Sequence, residues 1–207
     1  MRRSRWSVGV CALCVSMHVA PRPMTAQSAA TGKPTPLVLE ENEGERRLWR
    51  PITGVDTGAQ AMPGPFILKV DGLNGGSSHL VFGTENLAAG QHIETHKHPG
   101  SDEILFVRRG TARVKVADVV RVVHAGATVY IPADTWVSVA NIGTDAIALA
   151  YVFSAPGFDD FMRAESAREG APLTPLSQAE DAAIQKQHAR AVVYKEPEEC
   201  GACSGGE

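Results

Sequence analysis

The chain has 207 residues, of which 43% are hydrophobic and 21% charged, the composition of a globular protein with one ordinary domain plus extensions. The formal charge is −3; the first 26 residues hold four Arg and no acid, so their removal makes it −7. A chain this acidic is a poor match for nucleic acid.

Residues 1–26 read as a signal peptide. Arg2, Arg3 and Arg5 form a basic start, "WSVGVCALCVSMHVA" an apolar run, and "PRPMTAQSAA" a stretch rich in small residues around cleavage near Ala26. The run is short for a membrane span, so no span is expected after cleavage, and the expected location is periplasmic or secreted. Two of the four cysteines leave with it. Cys200 and Cys203 remain in "ECGACSGGE", too few for a four-cysteine zinc site but spaced for a tight disulfide or an idle pair in a disordered tail.

After a flexible leader over 27–45, short strand-like runs follow one another: 66–70, 79–83, 91–96, 103–107, 112–116, 119–123, 128–132, 136–140 and 146–153. Turn residues such as "DGLNGG", "RRG", "HAG" and "NIGTD" separate them, which predicts an antiparallel sandwich or barrel. Phe66, Phe82, Leu105, Phe106, Val129, Ile131 and Phe153 read as its packing. The pattern then turns helical. "GFDDFMRAESAREG" sets Phe158, Phe161 and Met162 at helical spacing and offers Gly170 as a stop. Ser177 and Glu180 form a capping box for a second helix to about Arg190, and "AVVY" (191–194) returns as a strand.

The chemistry is concentrated in "GQHIETHKHPGSDEILFVRRG" (90–110). Strand alternation puts His96 and His98 on one face, with His92 and Glu94 in line. A turn through "PGS" brings Glu103 back beside them. Two histidines and one carboxylate are the three-ligand arrangement of non-haem iron sites, which leave positions open to substrate.

The spacing Gly90-x5-His96-x-His98-x4-Glu103-x6-Gly110, followed by Gly126-x5-Pro132 and Asn141, resembles the two motifs of the cupin superfamily. The resemblance runs from about Phe66 to Phe153. More loosely it continues into "SAPGFDDFMRA", which is similar to the tail of small single-domain bacterial cupins (cupin type 2) related to quercetin dioxygenase. It implies an all-β double-stranded β-helix, a jelly-roll barrel over 46–156, with a short C-terminal helical extension over 157–194 and a disordered tail over 195–207. It also implies His96, His98 and Glu103 as ligands of a divalent metal, iron first and manganese, zinc or nickel as alternatives. A small-molecule substrate follows from the same resemblance, and a homodimer by analogy.

The second motif departs from the pattern. The position that usually holds a histidine is Val137, and the usual glycine is Asp134. Three readings stay open: a working three-ligand site; a site closed by Glu94, or less well by His92 or His79; and a degenerate site that binds a ligand without chemistry. If the protein is an enzyme, a metal-dependent dioxygenase type is expected, with Glu94 or Glu103 as acid or base. A non-enzymatic small-molecule binder, or a metal-dependent sugar isomerase, is the alternative.

Overall fold

A computed structural model describes residues 33–55 and 64–195. The expected signal peptide, the start of the leader, and the tail with Cys200 and Cys203 lie outside the described residues.

Ten strands precede the first helix: β1 (Glu45–Trp49), β2 (Phe66–Val70), β3 (Val81–Leu87), β4 (His92–Lys97), β5 (Glu103–Arg109), β6 (Thr111–Val116), β7 (Val119–His124), β8 (Thr128–Ile131), β9 (Val137–Asn141) and β10 (Ile147–Phe153). Then come α1 (Phe158–Ala164), β11 (Ser166–Arg168), α2 (Gln178–Gln187) and β12 (Val193–Tyr194). They form two antiparallel sheets, in the orders β11-β1-β2-β3-β10-β5-β8 and β12-β4-β9-β6-β7. This is the double-stranded β-helix that the sequence led us to expect, with short C-terminal helices. Among the described residues no helix is long and apolar enough to cross a membrane.

Alternation along the strands builds the interior. On β5, Glu103, Leu105 and Val107 point inward and are buried, while Ile104 and Phe106 face out. Phe106, read from the sequence as packing, is 40% exposed because it falls on the outer parity of β5. The inward row joins Phe66, Leu68, Val114, Val139, Leu149 and Phe153 in one core between the sheets.

Gly110 turns the chain from β5 into β6. Its φ is +88°, and a Cβ there would stand 2.6 Å from Ile147 Cγ2, so both conformation and space require glycine. Asp134, where the motif usually has glycine, keeps the same left-handed backbone at φ 63°, which aspartate tolerates better than most residues. Its carboxylate then meets Lys97 Nζ at 2.7 Å.

Two elements differ from the sequence reading. The charged run at the end of the leader contains a strand: β1 pairs with β2 on one side and β11 on the other. Helix α1 stops at Ala164 rather than near Gly170, because Ser166–Arg168 leaves the helix to pair with β1. The second helix starts on the expected cap: Ser177 Oγ accepts from Glu180 N–H, and Ser177 N–H donates to the Glu180 carboxylate at 2.8 Å.

Candidate metal centre

Strands β4 and β5, joined by the turn at Pro99–Gly100, bring His96, His98 and Glu103 together. All three are buried, and one donor atom from each lies within 4.8 Å of the others. The imidazole rings stand edge to face, with centroids 4.9 Å apart.

Each imidazole is fixed from behind. His96 Nδ1 is 2.8 Å from the Glu94 carbonyl, and His98 Nδ1 is 2.8 Å from the Ala191 carbonyl. A carbonyl can only accept, so both Nδ1 atoms carry the proton and both Nε2 atoms present a lone pair. Phe153 and Phe158 hold the His98 ring edge-on, at centroid distances of 4.7 and 4.5 Å. Backbone hydrogen bonds of this kind are how ligating histidines are usually oriented.

The electrostatics suit a bound cation. Burial, with His96 beside it, pushes His98 down to about 3, against the weaker opposite pull of its bond to Ala191. Burial likewise lowers His96. Burial and the nearby Glu85 push Glu103 up to about 8. The 3.7 Å approach of His98 Nε2 to Glu103 Oε2 is therefore no ion pair, since His98 is neutral and Glu103 protonated over most of the neutral range. Both atoms are buried and have no hydrogen-bond partner. Two buried orphaned acceptors, aimed at one another and joined by a second imidazole, are the pattern a bound divalent cation would satisfy.

The other sequence candidates fall elsewhere. Glu94 is not brought to the group. A register shift between Ile93 and His96 on β4, against β9, breaks the alternation that would have aligned them. Its carboxylate is 64% exposed, at the cavity rim, and pairs with His92 Nε2 at 3.0 Å. His79 is exposed on the approach to β3. Val137 stands directly across from His96 in the β4–β9 register and is buried, so a hydrocarbon wall occupies the place of the usual fourth ligand.

A cavity of about 460 Å3 opens from the group. Its walls are largely hydrocarbon and aromatic, among them Leu105, Val139, Tyr151, Phe158, Met162 and Tyr194. One lining residue that the sequence reading missed is Glu85 on β3. It is buried in the wall, and burial raises its carboxyl to about 7. No local signal marks it, since Thr84 and Asn86 flank it in "VFGTENL"; only its register with Phe66 and Leu149 turns it inward.

Residues 83–153 match the family model described as "Cupin domain". No curated protein matches the chain. Among solved structures, the TT1209 protein of Thermus thermophilus is 24% identical over 38% of this chain and 75% of its own, with a TM-score of 0.37. An oxalate oxidase in complex with the substrate analogue glycolate is 22% identical, over 44% of this chain and 51% of its own, with a TM-score of 0.40. A Klebsiella pneumoniae protein with a double-stranded β-helix domain is 18% identical, over 58% of this chain and 90% of its own, with a TM-score of 0.40. The match thus spans about half the length of the oxalate oxidase. At these identities and TM-scores the likenesses name no substrate for this chain.

Proposed function

Because this chain belongs to the cupin superfamily through residues 83–153, we propose that it is a metal-dependent enzyme of the oxygenase type acting on a small organic molecule. His96, His98 and Glu103 would hold the metal. The observation that carries the reading is the pair of buried, unpartnered acceptors, His98 Nε2 and Glu103 Oε2, with both imidazole Nδ1 protons committed to backbone carbonyls. Iron is the metal the two-histidine, one-carboxylate set suits best, with manganese, zinc and nickel as alternatives. When bound, such a metal offers open positions for substrate and dioxygen. The chain supplies the fixed donors, the dry wall and the orientation of whatever enters. The N-terminal sequence, with its basic start, apolar run and small-residue stretch, supports export of the chain to the periplasm or beyond.

Val137 favours a second reading. With hydrocarbon at the fourth-ligand position, a weakly metallated pocket would bind its ligand without chemistry. A sugar isomerase is the least supported, since a sugar needs many polar partners and the wall is largely apolar.

Elemental analysis of the purified full-length protein separates these readings. A working centre gives about one iron, manganese, zinc or nickel per chain, lost in His96→Ala. Val137→His then leaves metal content unchanged and lowers activity by closing an open position. A degenerate pocket gives no metal in the natural chain and acquires it in Val137→His. No metal after reconstitution with each ion ends the enzyme reading.

A further inference from the structure

The inward face of β3 runs Val81, Gly83, Glu85, Leu87. Across the sheet, the register neighbours of Glu85 are Phe66 and Leu149, and beyond Leu149 lies Val107; all three are fully buried hydrocarbon. A carboxyl group therefore occupies a row where every flanking residue is apolar. Among the described residues its carboxyl has no hydrogen-bond partner and no opposite charge, and burial alone sets its proton affinity. It is not one of the gathered ligands, since its oxygens lie outside the 4.8 Å group, yet it lines the cavity that His96 and Glu103 line. A lone acid at a core position breaks the rule that every other inward residue of the strand obeys, and gains no structural contact in exchange.

We propose that Glu85 is a ligand-binding residue of the metal centre, hydrogen-bonding a hydroxyl group of the bound molecule and accepting its proton. This rests on the metal reading above. In the step, the ligand O–H bond breaks, the oxygen keeps the electron pair, and the proton becomes the carboxylic proton of Glu85. The class of ligand follows from the wall: a molecule neutral in solution, with an apolar or aromatic body and at least one ionisable hydroxyl. A dicarboxylate would meet Glu85 and Glu103 head on. The carboxyl's rise to about 7 suits it to exchanging a proton near neutrality.

The test uses the full chain loaded with zinc, which is redox-inert, and catechol as the probe. Metal content is measured first, in the natural protein, Glu85→Gln and Glu85→Leu. Catechol binding is then followed by calorimetry in two buffers of different ionisation enthalpy at about pH 8, where Glu85 is ionised and catechol is not. The expected result is unchanged zinc in all three, no net proton release by the natural protein, and release of about one proton per catechol by Glu85→Gln. Binding weakens at least about tenfold in that variant, and Glu85→Leu melts higher than the natural chain. Equal proton release by the natural protein and Glu85→Gln, or no catechol binding by the zinc-loaded natural protein, overturns the proposal while leaving the metal reading standing. Absence of zinc from the natural protein overturns both.

Discussion

At the scale of single residues, the His96, His98 and Glu103 group is neutral near pH 7 in the metal-free chain. Glu103 carries a proton up to about pH 8, whereas His98 and His96 are already neutral well below that. Metal binding must therefore expel one proton, from Glu103, and none from the imidazoles. The sign follows: affinity for zinc should rise by about tenfold per pH unit from about 6 to about 8 and then level off. Competition against a chelator of known proton affinity measures this, and a flat profile over that window would count against Glu103 as a ligand. The same shift acts on the metal-free fold in the opposite direction. A carboxyl raised in the folded state contributes stability that is present below its ordinary value and lost as pH climbs through the raised one. The metal-free protein should thus lose stability over the range in which it gains affinity. The gathering of His96, His98 and Glu103 was legible in the sequence because they lie within eight positions of one another, on two strands joined by a short turn. Glu85 was not, since a single acid in "VFGTENL" looks like any outward strand residue until its register beside Phe66 and Leu149 is known.

At the scale of elements, the strand that escaped the sequence reading shows why charge is a poor guide to exposure. On β1, Arg47 is buried and Glu45 half-buried; they pair with each other and with partners far along the chain. Arg163, on α1, bonds Glu45 at 2.9 Å, Asp71 at 2.6 Å and Asp159 at 3.0 Å. Arg47 donates to the Ser166 side chain and to the carbonyls of Arg163 and Ser166. This network welds α1 and β11 to β1 and β2, and so fixes Phe158 and Phe161 against the cavity. Burial opposes ionisation of Glu45, but Arg163 and Arg47 outweigh it and hold the carboxyl below its ordinary value. Replacing Arg163 with Met removes the cation that Glu45, Asp71 and Asp159 share, and leaves Glu45 with Arg47. Removing one partner from a buried ionic set costs about 3–5 kcal/mol, far more than the median surface pair. Urea unfolding of Arg163→Met should show a loss of that size, recovered in part at acid pH where these acids protonate. A loss below about 1 kcal/mol would mean that the set is solvated like a surface pair. The strands of the barrel were legible because alternation and turn residues are local signals. Strand β1 was not, because most of the groups that satisfy its charges lie 116 to 123 residues away.

At the scale of the whole molecule, the C-terminal segment completes a site that the barrel begins. Strand β12 adds to the edge of the smaller sheet beside β4, with Tyr194 opposite His96 and Val193 opposite Lys97. The Ala191 carbonyl fixes the His98 tautomer across 93 residues of sequence. Val192 is buried in the core, and Tyr194 closes the cavity wall with its ring 5.8 Å from His96. The extension is therefore part of the candidate site rather than an ornament on it, which its sequence, a helix signal and then "AVVY", could not disclose. A chain ending at Arg190 should keep the barrel but lose orientation at His98. Groups that orient a ligand from behind typically contribute about 10–100-fold in metal affinity, so a loss in that range is expected for zinc. Exposing Val192's place in the core should add about 1.5–3 kcal/mol of destabilisation, within the cost of uncovering one buried aliphatic side chain. A chain ending at Lys195 retains every one of these contacts and should match the full-length protein in both measurements. If the two truncations bind zinc equally well, His98 is oriented by Phe153 and Phe158 alone, and the carbonyl of Ala191 is only a neighbour.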